Sequence, residues 1–323
     1  MISALAITGP TASGKTSLSL RVAEILGCEI LCLDSMQIYK HMNIGTAKAT
    51  EAERAVCPHH MLDFLEPREN YSVEQYRHDS LICAGKICER GRIPLFVGGT
   101  GLYLDALIRG FSPDSPPSDE RVRRELMSLA EQDGGVDRLW DMLNSVDRES
   151  AEKIHKNNVR RVVRALEIYT ISGKTKTYFD KKSKELAKDI DLLTFTLDFH
   201  NRENLYSRVD TRVDIMLGEG LVEETKWLYE RNMLREGSTC SQAIGYKEIL
   251  PYVKGEAELG QCVEQLKLSS RRYAKRQLTW FRHEADAIRI FLDGDDGKMR
   301  SSEDVVSEIL SHARKYIEKS EER

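Results

Sequence analysis

The segment LAITGPTASGKTSLSL, residues 5–20, constrains the fold of this chain more than any other. Residues 9–16 spell G-x-x-x-x-G-K-T, the pattern of a loop that wraps a phosphate group. An apolar run of strand length, residues 2–8, precedes the loop, and a helical pattern, residues 15–26, follows it. Strand, glycine-rich turn and helix are the context that the pattern requires, so the segment predicts a phosphate loop at the edge of an α/β sheet.

The chemistry of this loop is that of an anion site. Gly9 and Gly14 let the backbone curl so that successive N–H groups point at anionic oxygens, and the following helix adds the positive end of its dipole. Lys15 supplies a mobile cation, and Thr16 can place its hydroxyl on Mg²⁺. The pattern indicates a bound phosphate, but it leaves open whether the phosphate is transferred, hydrolysed or released as a leaving group.

Two further predicted strands end beside functional residue types. Residues 29–35 form an apolar run that ends at Asp34, and residues 93–101 run into the turn GGTG, which contains Thr100. Strands that alternate with helices predict a doubly wound parallel sheet. Because the C-terminal ends of parallel strands line a ligand crevice, both side chains are expected beside the phosphate loop. The pattern alone explains Asp34 equally well as a turn or capping residue.

The texture of the chain changes after the third strand. Residues 111–120, FSPDSPPSDE, contain three of the eight prolines and predict a linker. Residues 119–186 have helical periodicity, and a strand pattern returns only at residues 192–200. The sequence therefore predicts a P-loop NTPase-like α/β core, residues 1–114 and 191–323, interrupted by an all-helical insertion, residues 115–190.

Two basic runs stand out in a chain whose net charge is −4. Residues 153–184 hold ten Lys or Arg against two acids, and residues 270–283 hold five against none. Either run alone would be a solvated helix face, but together they favour a surface that binds a polyanion. Trp280, in the second run, has a spacing that favours core packing. Arg208 and Arg212 share a helix face, so they could clamp a diphosphate or pair with nearby acids.

Cysteine usage and hydropathy bear on the compartment. The seven cysteines form no C-x-x-C pair, which fits the reduced thiols of a cytosolic enzyme. No stretch reaches the roughly 18 apolar residues of a membrane span. The phosphate loop begins at residue 9, so cleavage of a signal peptide would remove it. We therefore expect a cytoplasmic protein.

Six segments occur together in one order, and in combination they resemble the tRNA dimethylallyltransferase family, also called tRNA isopentenyltransferases, over about residues 1–290. They are the phosphate loop, LDSMQIYKHMNIGTAK (33–48), LFVGGTGLYLDAL (95–107), NVRRVVRALEIYTISGK (158–174), QAIGYKEI (242–249) and AKRQLTWFR (274–282). The resemblance implies transfer of a dimethylallyl group from dimethylallyl diphosphate to N6 of the tRNA adenosine 3′ to the anticodon (position 37). Diphosphate is then the leaving group, and Mg²⁺ is the expected cofactor.

The resemblance also implies the partners and the type of enzyme. The expected partners are dimethylallyl diphosphate and the anticodon stem-loop of tRNA, and we expect a monomer that does not bind membranes. No cysteine follows Cys262, whereas eukaryotic relatives append a zinc finger near the C-terminus. A bacterial-type enzyme is therefore implied.

The resemblance and the patterns above together assign roles to residues. Asp34 is the expected general base and Thr100 the expected tRNA contact at the mouth of the reaction channel; Lys15 and Thr16 complete the expected catalytic set, with Thr16 as the Mg²⁺ ligand. The expected diphosphate-binding residues are Gly9, Pro10, Thr11, Ala12, Ser13, Gly14, Lys15, Thr16, Arg208 and Arg212. The expected tRNA contacts are Asp34, Ser35, Met36, Gln37, Thr100, Arg123, Arg160, Arg161, Val162, Val163, Arg164, Gln242, Ala243, Ile244, Gly245, Tyr246, Lys247, Arg276 and Gln277.

Three rival functions fit part of the sequence. A small-molecule kinase would use the phosphate loop and Asp34, but it leaves the basic insertion unexplained. A prenyltransferase that acts on free adenine nucleotides would not need the two basic runs. An RNA-binding protein switched by a nucleotide, without enzymatic activity, would leave Asp34 and Thr100 without a role.

Overall fold

The computed structural model describes residues 1–110, 116–185, 189–235 and 237–322. Within these ranges six parallel strands form one sheet in the order β3-β2-β4-β1-β5-β6. The strands are β1 (Ile2–Thr8), β2 (Cys28–Cys32), β3 (His59–His60), β4 (Ile93–Gly98), β5 (Ile190–Asp198) and β6 (Ile288–Phe291). The P-loop NTPase-like parallel sheet is thus confirmed, whereas the two short edge strands β3 and β6 were not predicted.

Helices connect and cover these strands. They are α1 (Lys15–Leu26), α2 (Glu51–Val56), α3 (Val73–Glu89), α4 (Gly101–Arg109), α5 (Glu120–Ala130), α6 (Gly135–Val146), α7 (Arg148–Lys153), α8 (Val159–Ser172), α9 (Lys176–Glu185), α10 (Arg202–Gly218), α11 (Leu221–Glu230), α12 (Tyr246–Val253), α13 (Leu259–Phe281) and α14 (Ser302–Glu321). A short 3-10 turn, Cys240–Gln242, precedes α12. In the described part of the chain, no helix is both long enough and apolar enough to cross a membrane.

Both faces of the sheet are buried, which explains why the central strands read as continuous apolar runs. In β1, Leu5 and Ile7 pack on one side with residues of α1, α10, α13 and α14. Ala4 and Ala6 pack on the other side with residues of α3 and α4. The alternation follows from the two-residue period of a strand, and it holds β1 rigidly at the centre of the sheet.

The register of the central strands brings their C-terminal ends to one edge. Thr8, the last residue of β1, pairs with Gly98, the last residue of β4. Cys32, the last residue of β2, pairs with Val97. The three segments that follow these strands are the phosphate loop, the turn with Asp34 and the GGTG turn, so they all begin at this edge of the sheet.

The chain divides into two compact units, one of residues 1–108 and 189–323 and the other of residues 109–188. The sequence placed these boundaries at residues 115 and 190, and part of the expected linker, residues 111–115, lies outside the described residues. The second unit has its own apolar core, with no strand among its described residues. The core is built from α5, α6, α7 and α8 and includes Val122, Leu126, Leu139, Leu143, Val162, Val163 and Leu166.

Candidate active site

The phosphate loop has the backbone conformation that its glycines permit. Gly9 and Gly14 have positive φ angles of 147° and 81°, which residues other than glycine rarely adopt. A Cβ on Gly9 would also lie 2.9 Å from Cβ of Leu197, because the loop packs against β5. Gly14 is the N-cap of α1 and leaves the N–H groups of its first turn without a side-chain cap or an acidic neighbour. These donors are therefore open to an anion.

Lys15 folds back over this loop. Its Nζ donates hydrogen bonds to the carbonyl oxygens of Gly9 (3.0 Å) and Pro10 (2.6 Å). Burial, with a smaller contribution from the charge of Arg212, lowers the pKa of Lys15 to about 7, although the Asp34 carboxylate opposes the shift. The Lys15 amine is thus bonded to the backbone of the loop, next to the place where an anion would bind.

The residues around the loop are suited to a diphosphate with a bound Mg²⁺. Ser13 is buried, and its hydroxyl has no hydrogen-bond partner among the described residues. Nor does the described part of the chain hold any group of three or more His, Cys, Asp or Glu side chains that could bind a metal ion. A magnesium ion here would therefore depend on phosphate oxygens and water, with the Thr16 hydroxyl as a protein ligand, and Mg²⁺ commonly binds in this way.

Asp34 follows β2 at the same edge. Its Oδ1 accepts hydrogen bonds from the backbone N–H groups of Met36 (2.8 Å) and Gln37 (3.3 Å), so the residue does close a turn. Burial raises the pKa of the Asp34 carboxyl, while these two bonds and the charges of Lys15 and Arg212 oppose the shift. The carboxyl is therefore a stronger base than an exposed aspartate.

The GGTG turn is fastened to the Asp34 segment. A Cβ on Gly98 would lie 2.1 Å from the carbonyl oxygen of Leu33, so only glycine fits there. The Thr100 N–H donates to the same carbonyl oxygen (3.1 Å), and the Thr100 hydroxyl accepts from the N–H of Ser35 (3.1 Å). Because a hydroxyl that accepts one bond still has its own proton, Thr100 can donate to a ligand beside Asp34.

Two arginines of α10 complete the positive side of the site. Arg208 is exposed, and its Nε donates to the carbonyl oxygen of Ala12 in the phosphate loop (2.8 Å). Arg212 lies deeper, and its Nε is buried with no hydrogen-bond partner among the described residues. A buried guanidinium donor without a partner is costly, which favours an anionic ligand at this position. The role of these two arginines as a clamp for diphosphate stays a prediction.

Gln277 on α13 has a role that the sequence did not suggest. Its side-chain oxygen accepts from the N–H of Thr11 (2.8 Å), and its Nε2 donates to the carbonyl oxygen of Gly99 (2.9 Å). The side chain is buried and joins the phosphate loop to the GGTG turn. Both ends of its amide are bonded inside the protein, and contact of Gln277 with RNA stays a prediction.

The segment after Asp34 is tied to the segment at residues 242–247. The Gln37 amide donates to the carbonyl oxygens of Thr46 and Ala47, which closes the loop. Glu224 on α11 accepts from the backbone N–H groups of residues 43, 44 and 45 and from the Tyr246 hydroxyl (2.6 Å). The sequence does not reveal this role of Glu224, because the backbone groups that it binds are about 180 residues away along the chain.

Within residues 242–247 the predicted RNA contacts fall into two groups. Gln242 and Lys247 are exposed and remain predicted contacts, as does Ile244, which is half-buried. Ala243 and Tyr246 are buried, so the prediction of RNA contact is corrected for their side chains. Gly245 is also buried, but it has no side chain and stays a predicted contact. Their packing explains why they are there, since a Cβ on Gly45 would lie 2.6 Å from the Tyr246 ring.

The helical unit also separates its predicted contacts by burial. Arg160 and Arg161 are exposed, with no acidic partner among the described residues. Val162 and Val163 belong to the core of this unit, which corrects the prediction that they contact RNA. Arg123 and Arg164 are partly exposed, and each donates to Glu167.

The two basic runs contain fewer unpaired cations than the sequence indicated, because acidic residues from outside each run form ion pairs with them. In the helical unit, Glu149 pairs with Lys153 and Lys181, and Asp137 pairs with Lys156. In the second run, Arg271 pairs with Asp210 of α10, and Arg282 pairs with Asp198 of β5. The exposed cations of α13 are Arg272, Lys275 and Arg276, the last with its guanidinium 5.6 Å from the centre of the Tyr273 ring. Trp280 packs against the core, as predicted.

Residues 37–284 match the IPP transferase family, and residues 2–60 match the isopentenyl transferase family. The chain is 45% identical over 313 residues to a protein of Bacillus cereus named tRNA dimethylallyltransferase, an alignment that covers 97% of this chain and 93% of that one.

Solved structures agree with the sequence matches. The tRNA isopentenylpyrophosphate transferase of Bacillus halodurans is 38% identical, with 99% of each chain covered and a TM-score of 0.69. A eukaryotic dimethylallyltransferase acting on tRNA is 30% identical, with 90% of this chain and 74% of that chain covered and a TM-score of 0.76. A P-loop core, the site at its edge and relatives over nearly the full length coincide, and the chain therefore belongs to the tRNA dimethylallyltransferase (IPP transferase) family of prenyltransferases.

Proposed function

We propose that the chain transfers the dimethylallyl group of dimethylallyl diphosphate to N6 of the adenosine on the 3′ side of the anticodon of tRNA, with release of diphosphate. The observation that carries the proposal is the meeting of a base and an anion site at one edge of the sheet. Asp34 follows β2, the phosphate loop follows β1, and Thr100 follows β4 and bonds to the segment after Asp34. We further propose that the enzyme acts as a monomer, since one chain supplies all these groups, and that it works in the cytoplasm, where proteins keep their cysteines reduced, as the free cysteines here are.

The chemistry follows from these positions. N6 of adenine is a weak nucleophile because its lone pair is delocalised into the ring, so it needs an acceptor for its proton. In the proposed reaction the N6–C1 bond forms, the C1–O bond to diphosphate breaks, and the N6 proton moves to the Asp34 carboxylate. Lys15, Arg208, Arg212 and the N–H groups of the loop stabilise the charge that grows on the diphosphate. Bound Mg²⁺, held by Thr16, would neutralise part of the same charge.

The form of the RNA follows from the position of the reacting atoms. An adenine stacked in a stem-loop must turn out of the stack before N6 can reach a buried carboxyl such as Asp34. Proteins read unpaired loops of RNA more readily than A-form duplexes, whose base edges lie in a deep and narrow groove. An anticodon loop meets both conditions, and in this proposal the Thr100 hydroxyl binds the extruded nucleotide.

Mass spectrometry of tRNA incubated with the protein, dimethylallyl diphosphate and Mg²⁺ tests this function directly. We expect a mass gain of one prenyl group on the adenosine next to the anticodon, without ATP. A phosphoryl group transferred from ATP to a small molecule, with unmodified tRNA, would support a kinase and overturn the proposal. A prenyl group found only on free adenine nucleotides would show that RNA is not the substrate.

The helical unit provides a test of RNA binding. Replacing Arg160 and Arg161 with Ala removes two exposed cations, so fewer counterions are released when tRNA binds. We expect weaker binding of tRNA and a log–log dependence on salt that is shallower by roughly 1.5, the value for two lost phosphate contacts. The KM for dimethylallyl diphosphate should not change. Filter binding of tRNA between low and physiological salt measures both quantities.

The matched control for this pair is Arg148→Ala with Lys153→Ala. These substitutions remove the same charge from exposed positions of the same unit. Unlike Arg160 and Arg161, however, each of these side chains pairs with an acid among the described residues, Arg148 with Glu152 and Lys153 with Glu149. We expect the control to retain most of its tRNA affinity. Equal losses in both double variants would show that only net charge matters and that Arg160 and Arg161 make no specific contact.

A further inference from the structure

Glu167 on α8 is a buried acid at the centre of a polar cluster in the helical unit. Its side chain has no solvent exposure. Oε1 accepts from the backbone N–H of Asp119 at 2.8 Å, and Oε2 accepts from Arg123 Nη2 at 3.0 Å and Arg164 Nη1 at 2.9 Å. Arg164 Nη2 also donates to the carbonyl oxygen of Pro116 at 3.0 Å. One carboxylate thus joins the start of α5 to the middle of α8.

The placement of this acid is unusual for α8. Glu167 is four residues after Val163 and next to Leu166, so it lies on the helix face that forms the apolar core. Burial alone would raise the pKa of the Glu167 carboxyl, but hydrogen bonds from Arg164 and Arg123 outweigh that effect and hold the pKa below its usual range. The acid is therefore ionised, and a buried charge of this kind depends on its partners.

The two arginines, unlike the acid between them, reach the surface. The side chain of Arg123 is 45% exposed and that of Arg164 is 29% exposed. Both guanidinium groups contact the same carboxylate oxygen, so they are neighbours, although two cations without Glu167 would repel each other. Each keeps further N–H donors that do not bond to Glu167, and guanidinium donors match phosphate oxygens in geometry.

We propose that Glu167 is a positioning residue for RNA binding, which holds the guanidinium groups of Arg123 and Arg164 side by side as a clamp for phosphate groups of the tRNA backbone. This inference rests on the proposed function, in which the helical unit binds RNA. It adds that the arrangement of these two arginines contributes to affinity beyond their charge, and that a buried anion produces the arrangement.

Glu167→Gln tests the inference because charge and position predict opposite results. The substitution raises the net charge of the three-residue cluster from +1 to +2, so electrostatics alone predicts tighter binding of tRNA. The amide has one oxygen and one NH₂ group, so either the two guanidinium groups or the Asp119 N–H face an NH₂ group instead of an acceptor, and the oxygen that remains carries no full charge to hold two cations together. We expect the Kd for tRNA to rise about tenfold, a typical coupling for residues in one network. An unchanged or lower Kd would overturn the inference.

Glu152→Gln is the matched control. Glu152 belongs to the same unit, is 63% exposed and pairs with Arg148, so its substitution removes the same charge without touching the clamp. We expect this variant to bind tRNA as well as the parent or slightly better. A tenfold loss in this variant too would mean that the effect of Glu167→Gln is not specific to the clamp, which also overturns the inference.

A double-mutant cycle separates positioning from general support of the fold. Arg123→Ala should weaken tRNA binding several-fold in the parent but have little effect in the Glu167→Gln background, because the clamp is already lost there. A full loss in both backgrounds would show that Arg123 acts independently of Glu167. The KM for dimethylallyl diphosphate and kcat at saturating tRNA should be unchanged in every variant.

Two further variants cover the remaining outcomes. If Glu167→Gln fails to fold, Glu167→Asp keeps the charge but shortens the side chain by one CH₂, so it too should raise the Kd for tRNA; parent-like binding by this variant would overturn the inference. If Arg123→Ala and Arg164→Ala leave tRNA binding intact in the parent, this face of the unit does not bind RNA. That result would count against the proposed RNA contact itself and would be visible before Glu167 is considered.

Discussion

Asp34→Asn is expected to lower the rate of prenyl transfer by about 10²–10⁴-fold with both substrates still bound, the usual size of a general-base contribution. Asparagine keeps the shape of the side chain and can still accept the hydrogen bonds that Met36 and Gln37 donate to Oδ1. It cannot take the proton of N6. Single-turnover prenylation at saturating tRNA and dimethylallyl diphosphate measures the change without interference from product release.

The dependence of the same rate on pH gives a second, independent signature. Burial raises the pKa of Asp34, so the parent should lose activity as pH falls through a value above the ordinary aspartate pKa of about 3.9. Above that pKa the carboxylate is ionised and the rate is full; below it the rate falls tenfold per pH unit. The variant should lack this acid limb, because its side chain does not titrate.

Asp214→Asn is the control for the loss of a carboxylate. Asp214 lies on α10, the helix of Arg208 and Arg212, but it is 57% exposed and pairs with Lys267. We expect its rate and pH profile to match the parent. If the rate of Asp34→Asn stays within a few-fold of the parent rate at neutral pH, Asp34 only closes the turn through its Oδ1 hydrogen bonds. The N6 proton must then leave by another route.

The sequence predicted the sheet and the place of the site well, because both depend on local patterns. The phosphate loop is one contiguous motif between a strand and a helix, and Asp34 and Thr100 each follow a buried strand directly. Segments that follow the strands of a parallel sheet meet at one edge of the sheet, which is why three segments that are separate in the sequence could be placed together. The interior strands β1, β2, β4 and β5 were found for the same reason, since burial on both faces makes them strongly apolar.

What the sequence could not supply are partners that meet only after folding. Gln277 joins two glycine-rich turns from a helix more than 170 residues after the second of them. Glu224 fastens the loop after Asp34 from a similar distance along the chain. The acids that neutralise part of each basic run also come from other elements, so counting charges within a run overstated the free positive surface. Edge strands β3 and β6 are too short for a strand pattern to stand out.

Glu167 marks a case where a signal was present. It is one of only two acids within residues 153–184, and its spacing from Val163 and Leu166 places it on the apolar face of α8. An acid at a core position needs cationic partners, and the arginines nearest in sequence were already predicted RNA contacts. The sequence alone therefore links Arg164 to Glu167, because Arg164 lies one helical turn before it. It does not link Arg123, which reaches Glu167 from α5.

Lys15→Met should reduce prenyl transfer at saturating substrates by roughly 10²–10³-fold, the usual effect of removing one group that stabilises a growing negative charge. The affinity for tRNA should not change, because Lys15 is bonded within the phosphate loop. Lys226→Met, which removes a 65% exposed lysine on α11, is the control and should retain full activity. A Lys15→Met rate within a few-fold of the parent would show that the leaving group is stabilised without this residue.

The low pKa of Lys15 makes its role visible in binding alone. Near pH 8 the lysine of the free enzyme is largely neutral, since its pKa is lowered to about 7. A bound diphosphate raises that pKa, so Lys15 must take up a proton on binding; near pH 6 it is already charged and the uptake should vanish. Calorimetric titration of inorganic diphosphate in two buffers with different ionisation enthalpies measures the protons exchanged. At pH 8 the parent should take up close to one proton more than Lys15→Met, while protonation changes of diphosphate itself are common to both and cancel. Equal exchange in the two proteins would mean that Lys15 carries the same charge before and after binding, and it would contradict a lysine that is neutral in the free enzyme at pH 8 and charged in the complex.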